Sequence, residues 1–284
     1  MTDSLGAVFR QAILQERPLQ IAGTVNAYCA LMAKRAGYRA IYLSGAGVAN
    51  ASYGLPDLGM TSLEDVLIDA KRITAVCDVP LLVDIDTGWG DMAQTIPAMI
   101  DAGVAAVHFE DQVPAKRCGH RPNKDLVSSR QMVQRISEAV AARGDPHFFL
   151  MARTDALASE GLAATVDRAK AYVKAGADGI FFEAVTELSQ YQAIADAIDA
   201  PVLANMTEFG QTPLSSVRQL TDHGVAMVLY PLSAFRGMNC AAQKIYEVIR
   251  QDGSQQAALE LMQDRKTLYD YLDYQRWERA QDQR

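Results

Sequence analysis

Short runs of Val, Ile, Leu and Phe alternate along the chain with longer segments whose apolar residues recur at helical spacing. The runs cover 19–25, 40–44, 80–86, 105–111, 147–155, 179–184, 201–207 and 225–233. Segments of helical period follow them over 27–36, 62–76, 92–102, 129–142, 161–175, 187–198, 214–222 and 234–251. Runs that are apolar almost throughout predict strands buried on both faces, hence a parallel sheet. Ala36-Gly37, Ala102-Gly103, Ala175-Gly176 and His223-Gly224 precede every second run, and Pro80, Pro146 and Pro201 introduce the runs between. Gly suits the left-handed residue that closes a helix, and Pro the first residue of a strand. Eight strand–helix units in about 230 residues predict a closed (β/α)8 TIM-type barrel. A doubly wound open sheet is the alternative. No linker rich in Pro, Gly or Ser interrupts the pattern, so 1–284 reads as one barrel domain. Beyond Arg250 the pattern changes, and 254–264 and 266–281 predict additional C-terminal helices with an apolar stripe of Leu259, Met262, Leu268, Tyr271 and Leu272. That stripe needs a surface, on its own barrel or on a neighbouring subunit. Oligomer contacts through 254–284 are the expectation.

Composition narrows the class without naming a chemistry. Apolar residues make up 49% and charged residues 21%, which excludes a disordered tail, a collagen and a disulfide scaffold. Acidic residues number 34 against 27 basic, for a net charge of −7. Such a chain lacks the basic field that nucleic acid or an anionic membrane would demand. No apolar run approaches the roughly 18 residues of a bilayer span. Asp3, Arg10, Glu16 and Arg17 leave no room for a signal-peptide core. The four cysteines, at 29, 77, 118 and 240, share no metal spacing and no dense disulfide pattern. The expected partner is a small molecule and the expected compartment the cytoplasm.

The active site of such a barrel stands at the carboxyl ends of its strands. There the sequence delivers Tyr42, Ser44, Gly45, Ala46 and Gly47, then Asp84 and Asp86, Glu110 and Asp111, Arg153 and Asp155, Glu183, Asn205 and Thr207, with Arg236 after the eighth run. Asp84 and Asp86 lie two apart and share a face. Converging with Glu110 and Glu183, they repel unless a cation sits between them. A set of oxygen donors predicts Mg2+, with Mn2+ as a substitute, rather than zinc. The alternative for Asp86 is that it opens the turn with Thr87-Gly88. The Ser44–Gly47 turn offers backbone N–H groups to a substrate carboxylate. Asn50, in place of a third glycine, argues against a dinucleotide fingerprint.

Gln112–Lys124, QVPAKRCGHRPNK, is long for a strand-to-helix connection and reads as a lid or functional loop. Cys118 stands among Lys116, Arg117, His120, Arg121 and Lys124. Neighbouring positive charge lowers a thiol pKa from about 8.5 toward neutrality, which makes a proton donor and acceptor. Cys29, Cys77 and Cys240 read as inert core residues.

Lys116-Arg117-Cys118-Gly119-His120 resembles the K-[KR]-C-G-H signature of the isocitrate lyase/phosphoenolpyruvate mutase superfamily. Tyr42–Gly45, Val83–Asp86, Glu110–Gln112, Met151–Asp155, Asn205–Glu208 and Tyr230–Arg236 are similar to that family's motifs, in order and over nearly the whole chain. Ala46 stands where the family has glycine, and Phe182 where it has proline. The resemblance implies a Mg2+-dependent carbon–carbon lyase that cleaves the tricarboxylate (2S,3R)-2-methylisocitrate to pyruvate and succinate in propionate breakdown, as a homotetramer. A sister enzyme acting on dimethylmalate, isocitrate or oxaloacetate is the alternative; a non-catalytic carboxylate-binding barrel is a remote one. The resemblance also implies roles. Asp84 and Asp86 would hold the metal, with Asp57 and Glu110 acting through water. Cys118 would be the general acid, and Tyr42, Glu110 or Glu183 the base. His120, Arg121, Arg153 and Arg236 would neutralise carboxylates and the developing enolate. Ser44, Gly45, Ala46, Gly119, Glu183, Asn205, Met206, Thr207 and Arg265 would complete the substrate site, and Phe181 and Leu229 would line a methyl pocket.

Overall fold

A computed structural model describes residues 4–115 and 124–282. Helix α1 (Leu5–Gln15) precedes the first strand, and eight strands follow in sequence. They are β1 (Leu19–Gly23), β2 (Ala40–Leu43), β3 (Leu81–Asp84), β4 (Ala106–Glu110), β5 (Phe149–Thr154), β6 (Gly179–Phe182), β7 (Val202–Asn205) and β8 (Met227–Tyr230). The intervening helices are α2 (Ala27–Arg35), the single turn α3 (Gly45–Gly47), α4 (Leu63–Thr74), α5 (Met92–Asp101), α6 (Ser129–Ala142), α7 (Leu157–Lys174), α8 (Leu188–Ala195) and α9 (Val217–Thr221). All neighbouring strands pair in parallel and β8 returns to β1, so the sheet is a closed barrel in chain order. The open-sheet alternative is excluded.

The strands are apolar throughout because each packs twice. Ala40, Tyr42, Leu82, Ala106, Met151, Phe181, Leu203 and Leu229 fill the barrel interior. Their neighbours Ile41, Leu43, Val83, Val107, Phe109, Ala152, Phe182, Ala204 and Val228 join the helices in the outer layer. Period-two alternation sends successive side chains to opposite faces, and both faces are dry. Gly23 is where the strand ends crowd most. A Cβ there would lie 1.7 Å from the Pro231 carbonyl oxygen, which is backbone and cannot yield cheaply. Gly23→Ala is therefore expected to cost about 3 kcal/mol. A urea midpoint equal to that of the parent would contradict this.

Helix α1 has no counterpart in the hydrophobic pattern read above, which starts at residue 19. Ser4 caps it by accepting from Ala7 N–H. Its buried Phe9 meets Phe149 edge-on at 5.3 Å and belongs to the interior cluster, so α1 covers the amino-terminal end of the barrel. The seventh helix begins four residues before its predicted start, and Gly161 (φ 79°, ψ 173°) interrupts it.

The chain divides into two compact units, Met1–Ser233 and Ala234–Arg284. In the second, α10 (Ser233–Asp252) continues into a 3-10 turn (Gln256–Leu261), α11 (Arg265–Leu272) and α12 (Tyr274–Asp282). The helix predicted over 266–281 is thus two helices, broken where Asp273 adopts a left-handed conformation at φ 50°. The 254–264 segment forms the shorter 3-10 turn instead of an α-helix. No residue of α10, α11 or α12 is buried, and Leu259, Leu261, Tyr269, Leu272 and Trp277 are exposed. Cys240, expected in the core, is also exposed, whereas Cys29 and Cys77 are buried. Among the described residues no helix is long and apolar enough to cross a membrane.

Candidate active site

At the carboxyl ends of the strands the interior side chains change from apolar to charged. Strand register sets which of them meet. Asp84 on β3 pairs with His108 on β4, Glu110 with Arg153 on β5, Arg153 with Phe181 on β6, and Asn205 on β7 with Leu229 on β8. Asp84, His108, Arg153 and Asn205 each stand a step above an interior apolar residue on the same face (Leu82, Ala106, Met151 and Leu203), and Glu110 stands a step above His108.

One side of the rim holds the β2–β3 carboxylates. Asp84 Oδ2 accepts from the Gly45 N–H at 3.2 Å, and Asp84 Oδ1 accepts from the Asp86 N–H at 3.0 Å. A Cβ on Gly45 would meet Asp86 Oδ1 at 3.1 Å and Asp84 Oδ2 at 3.2 Å. Both carboxylates thus face one small space, and only glycine leaves it open. Asp86 itself is left-handed at φ 49°, a conformation Asp tolerates better than most residues and one that turns its carboxylate back toward Asp84. Two hard oxygen donors converging on one space fit a cation such as Mg2+, which keeps several waters and needs few protein ligands. Among the described residues no group of three or more His, Cys, Asp or Glu side chains is gathered as a metal centre, so Asp84 and Asp86 stand as a pair. Asp57 lies half-buried on the loop between α3 and α4.

His108 joins this corner. It is fully buried, with Nε2 2.9 Å from the Tyr42 hydroxyl and Nδ1 3.8 Å from Asp84 Oδ1. Its ring stacks on Tyr42 at 5.6 Å and on Phe181 at 4.9 Å. Nothing in the reading of the sequence singled it out, because it sits inside an apolar run. The signal was present: His108 and Glu110 are two apart on β4, just as Asp84 and Asp86 are two apart on the third run.

The opposite side is organised by Arg153. Its guanidinium makes a two-point contact with Asp155, Nε to Oδ2 at 3.0 Å and Nη2 to Oδ1 at 3.1 Å. Nη1 lies 3.2 Å from Glu110 Oε2, Nη2 lies 3.8 Å from Glu183 Oε2, and the guanidinium stands 5.1 Å over the Phe181 ring. Burial alone would lower the Arg153 pKa, but Asp155, Glu110 and Glu183 outweigh it and hold the group well above its ordinary value. Glu183 also accepts from Asn205 Nδ2 at 3.2 Å and from the Ala184 N–H at 3.1 Å. Lys124 Nζ reaches Asp155 Oδ1 at 2.8 Å.

Not every rim residue turns inward. Asp111, the residue after β4, points into the outer layer, where it accepts from Tyr172, Thr154 and Arg168. Burial, then the charge of Asp155, raises its pKa. Met206 packs in that outer layer too, so its side chain is not at the rim. Phe182 meets Tyr191 edge-on there at 5.9 Å, which keeps its bulk away from the interior face of Phe181. Ser44, Gly45, Asn205 and Thr207 are buried at the strand ends, Ala46 is half-buried beside them, and Leu229 is buried in the interior. Arg236 and Arg265 belong to the second unit. Cys118, Gly119, His120 and Arg121, with the lid expected over 112–124, fall wholly or mainly in 116–123, outside the described residues.

The sequence pattern of the phosphoenolpyruvate phosphomutase family matches residues 9–250. The chain is 59% identical to 2-methylisocitrate lyase of Shewanella oneidensis over 286 residues, covering 100% of this chain and 98% of that one. It is 58% identical to the 2-methylisocitrate lyase of Vibrio cholerae, covering 100% and 95%. Among solved structures, 2,3-dimethylmalate lyase, a member of the PEP mutase/isocitrate lyase superfamily, superposes with a TM-score of 0.90 at 32% identity, over 99% of this chain and 96% of that one. With a closed barrel, a rim of converging carboxylates and full-length relatives of this similarity, the chain belongs to the phosphoenolpyruvate mutase/isocitrate lyase family and is a lyase.

Proposed function

We propose that this lyase cleaves (2S,3R)-2-methylisocitrate to pyruvate and succinate with Mg2+ as its cofactor. The observation that carries the reading is the pairing, across one rim, of a two-carboxylate space at Asp84 and Asp86 with a buried guanidinium at Arg153. A 2-hydroxy acid on the first and a carboxylate on the second would span the bond to be broken. Asp84 and Asp86 would hold Mg2+, with Asp57 and Glu110 acting through water, and the ion when bound would supply Lewis-acid chemistry that lowers the pKa of the substrate hydroxyl.

The residues do the rest. A base removes the proton of the C2 hydroxyl, the C2–C3 bond breaks, and C2 becomes the carbonyl carbon of pyruvate. The electron pair moves onto the succinate half as an enolate, and Cys118 returns a proton to C3. Of the three candidate bases, Glu110 lies against Arg153 and Glu183 is held by Asn205. Tyr42 is the one whose hydroxyl has a histidine nitrogen 2.9 Å away to take up or return a proton, and we assign it the role. Arg153, with His120 and Arg121, stabilises the charge that grows on the leaving half. Ser44, Gly45, Ala46, Gly119, Asn205 and Thr207 complete the substrate contacts, Met206 through its backbone. The exposed apolar side chains of 254–284 support association between copies of this chain, since solvent is a poor place for Trp277 and Leu259, and the family resemblance makes the assembly a homotetramer.

Substrate choice tests the reading directly. Phe181 and Leu229 are interior neighbours of the rim and would receive the extra methyl group. One methyl is worth roughly 1–3 kcal/mol, so kcat/KM for 2-methylisocitrate should exceed that for isocitrate by about 10–200-fold. Assays of 2-methylisocitrate, isocitrate, dimethylmalate and oxaloacetate side by side decide the matter. A faster rate on any of the last three rejects the substrate while leaving the lyase class intact.

A further inference from the structure

Two loops of the rim carry carboxylates assigned above to the metal. Asp57 stands on the segment between α3 and α4, and Asp86 on the turn between β3 and α5. Each loop runs into a capped helix. Ser62 caps α4, its hydroxyl accepting from the Asp65 N–H, and Asp91 caps α5 by accepting from the Gln94 N–H at 3.0 Å. Just before these caps the two loops are joined. The indole Nε1–H of Trp89 donates to the carbonyl of Thr61 at 2.8 Å, and Thr61 is buried. Thr61 follows Asp57 by four residues, and Trp89 follows Asp86 by three.

The backbone at Trp89 is strained. From Asp86 to Gly90 the angle φ is positive at four residues, 49° at Asp86, 83° at Gly88, 47° at Trp89 and 80° at Gly90. Glycine takes such angles freely, but a bulky residue such as Trp does not. Left-handed residues of this kind persist only where the surroundings over-determine them. Here those surroundings are the outer core, against which Trp89 packs, and the Thr61 carbonyl that takes its N–H. At the other end of the turn the Glu110 N–H donates to the Asp86 carbonyl at 2.9 Å, which ties Asp86 to β4. The Asp57 segment is likewise held on both sides, by Asn50 Nδ2 on the Leu55 carbonyl at 2.7 Å and by the indole on Thr61.

We infer that Trp89 is a positioning residue for the metal carboxylates, bracing the Asp86 turn and the Asp57 loop against each other through its indole N–H. An aromatic ring alone would fill the space; the N–H adds a fixed spacing between the two loops. Mg2+ demands near-ideal octahedral geometry, so it binds more weakly where its donors drift. Phenylalanine keeps an aromatic body in the outer core but releases Thr61, and the two loops then move independently. This role rests on the reading above that Asp84 and Asp86 hold Mg2+, with Asp57 acting through water.

The test compares the parent with Trp89→Phe and with a protein carrying 3-benzothienylalanine at 89, which keeps the indole shape but has sulfur in place of the N–H. Calorimetric titration of chelator-treated protein with Mg2+ should show Kd raised about 3–10-fold in both, the worth of one hydrogen bond. The Mg2+ concentration giving half-maximal turnover of 2-methylisocitrate should rise by the same factor, while kcat at saturating Mg2+ stays within about twofold of the parent. A merely structural role would lower the thermal midpoint and leave Mg2+ affinity unchanged. If Trp89→Phe does not fold, the benzothienyl protein carries the comparison alone. A Kd for Mg2+ within about twofold of the parent in that isostere overturns the inference, as does a loss of kcat that saturating Mg2+ does not restore. If the parent itself binds no Mg2+, the metal reading falls and the brace with it; parental binding with unchanged variants removes the brace alone.

Discussion

Stripping divalent cations with a chelator is expected to abolish cleavage, by about 10³-fold or more, and Mg2+ or Mn2+ to restore it. The argument begins with Asp84 and Asp86. Their oxygens stand 3.2 and 3.1 Å from a single point beside Gly45, and both residues are buried. Like charges so placed disfavour ionisation, and a divalent cation between them removes that penalty while giving the substrate hydroxyl a Lewis acid. A contribution of several kcal/mol to the transition state corresponds to the expected loss of about 10³-fold or more. Asp84→Asn should lose both rate and cation binding, which calorimetric titration with Mg2+ would read independently of turnover. Undiminished activity in chelator-treated protein would end the metal assignment.

Cys118→Ser is expected to lower kcat by about 10²–10⁴-fold while substrate still binds. The hydroxyl of serine is nearly isosteric with the thiol but is a far weaker acid near neutral pH. Cys118 differs from the other thiols in its sequence setting. Burial, the largest influence on each, pushes the thiols of Cys29 and Cys77 up, which leaves them unreactive. Cys118 instead has Lys116, Arg117, His120 and Arg121 within three positions of it in the chain, and positive charge favours the thiolate. Turnover of the variant at the parent rate would remove Cys118 from the mechanism. A raised KM at parental kcat would make it a binding residue only.

Much of the molecule was legible in the one-dimensional pattern. The eight strands lie within the eight apolar runs, and their order in the barrel is their order in the chain. The period of two predicts Asp84 with Asp86, and Phe181 with Glu183, on shared faces. But β3 ends at Asp84 and β6 at Phe182, and Asp86 stands in a left-handed turn that no alternation describes. Polar residues at the carboxyl ends followed from the same reading, because a strand buried on both faces has no other reason to finish in charge. Helix α1 escaped it: its Phe9 and Ile13 gain their meaning only against the barrel end they cover.

By itself, then, the sequence determined the barrel, the inventory of its rim and the family motifs, since these depend on spacing along one strand at a time. Tertiary structure alone decided the partners. Whether Glu110 meets a cation or a carboxylate depends on the register between β4 and β5, which pairs it with Arg153. His108 acquires its place between Tyr42 and Asp84 from strands 66 and 24 residues away in the chain. Asp111 turns outward to Tyr172 although it adjoins Glu110, and Lys124 reaches Asp155 across 31 residues. Electrostatic energies fall off with distance in space, and distance in space between strands is set by closure of the sheet. No local pattern contains it.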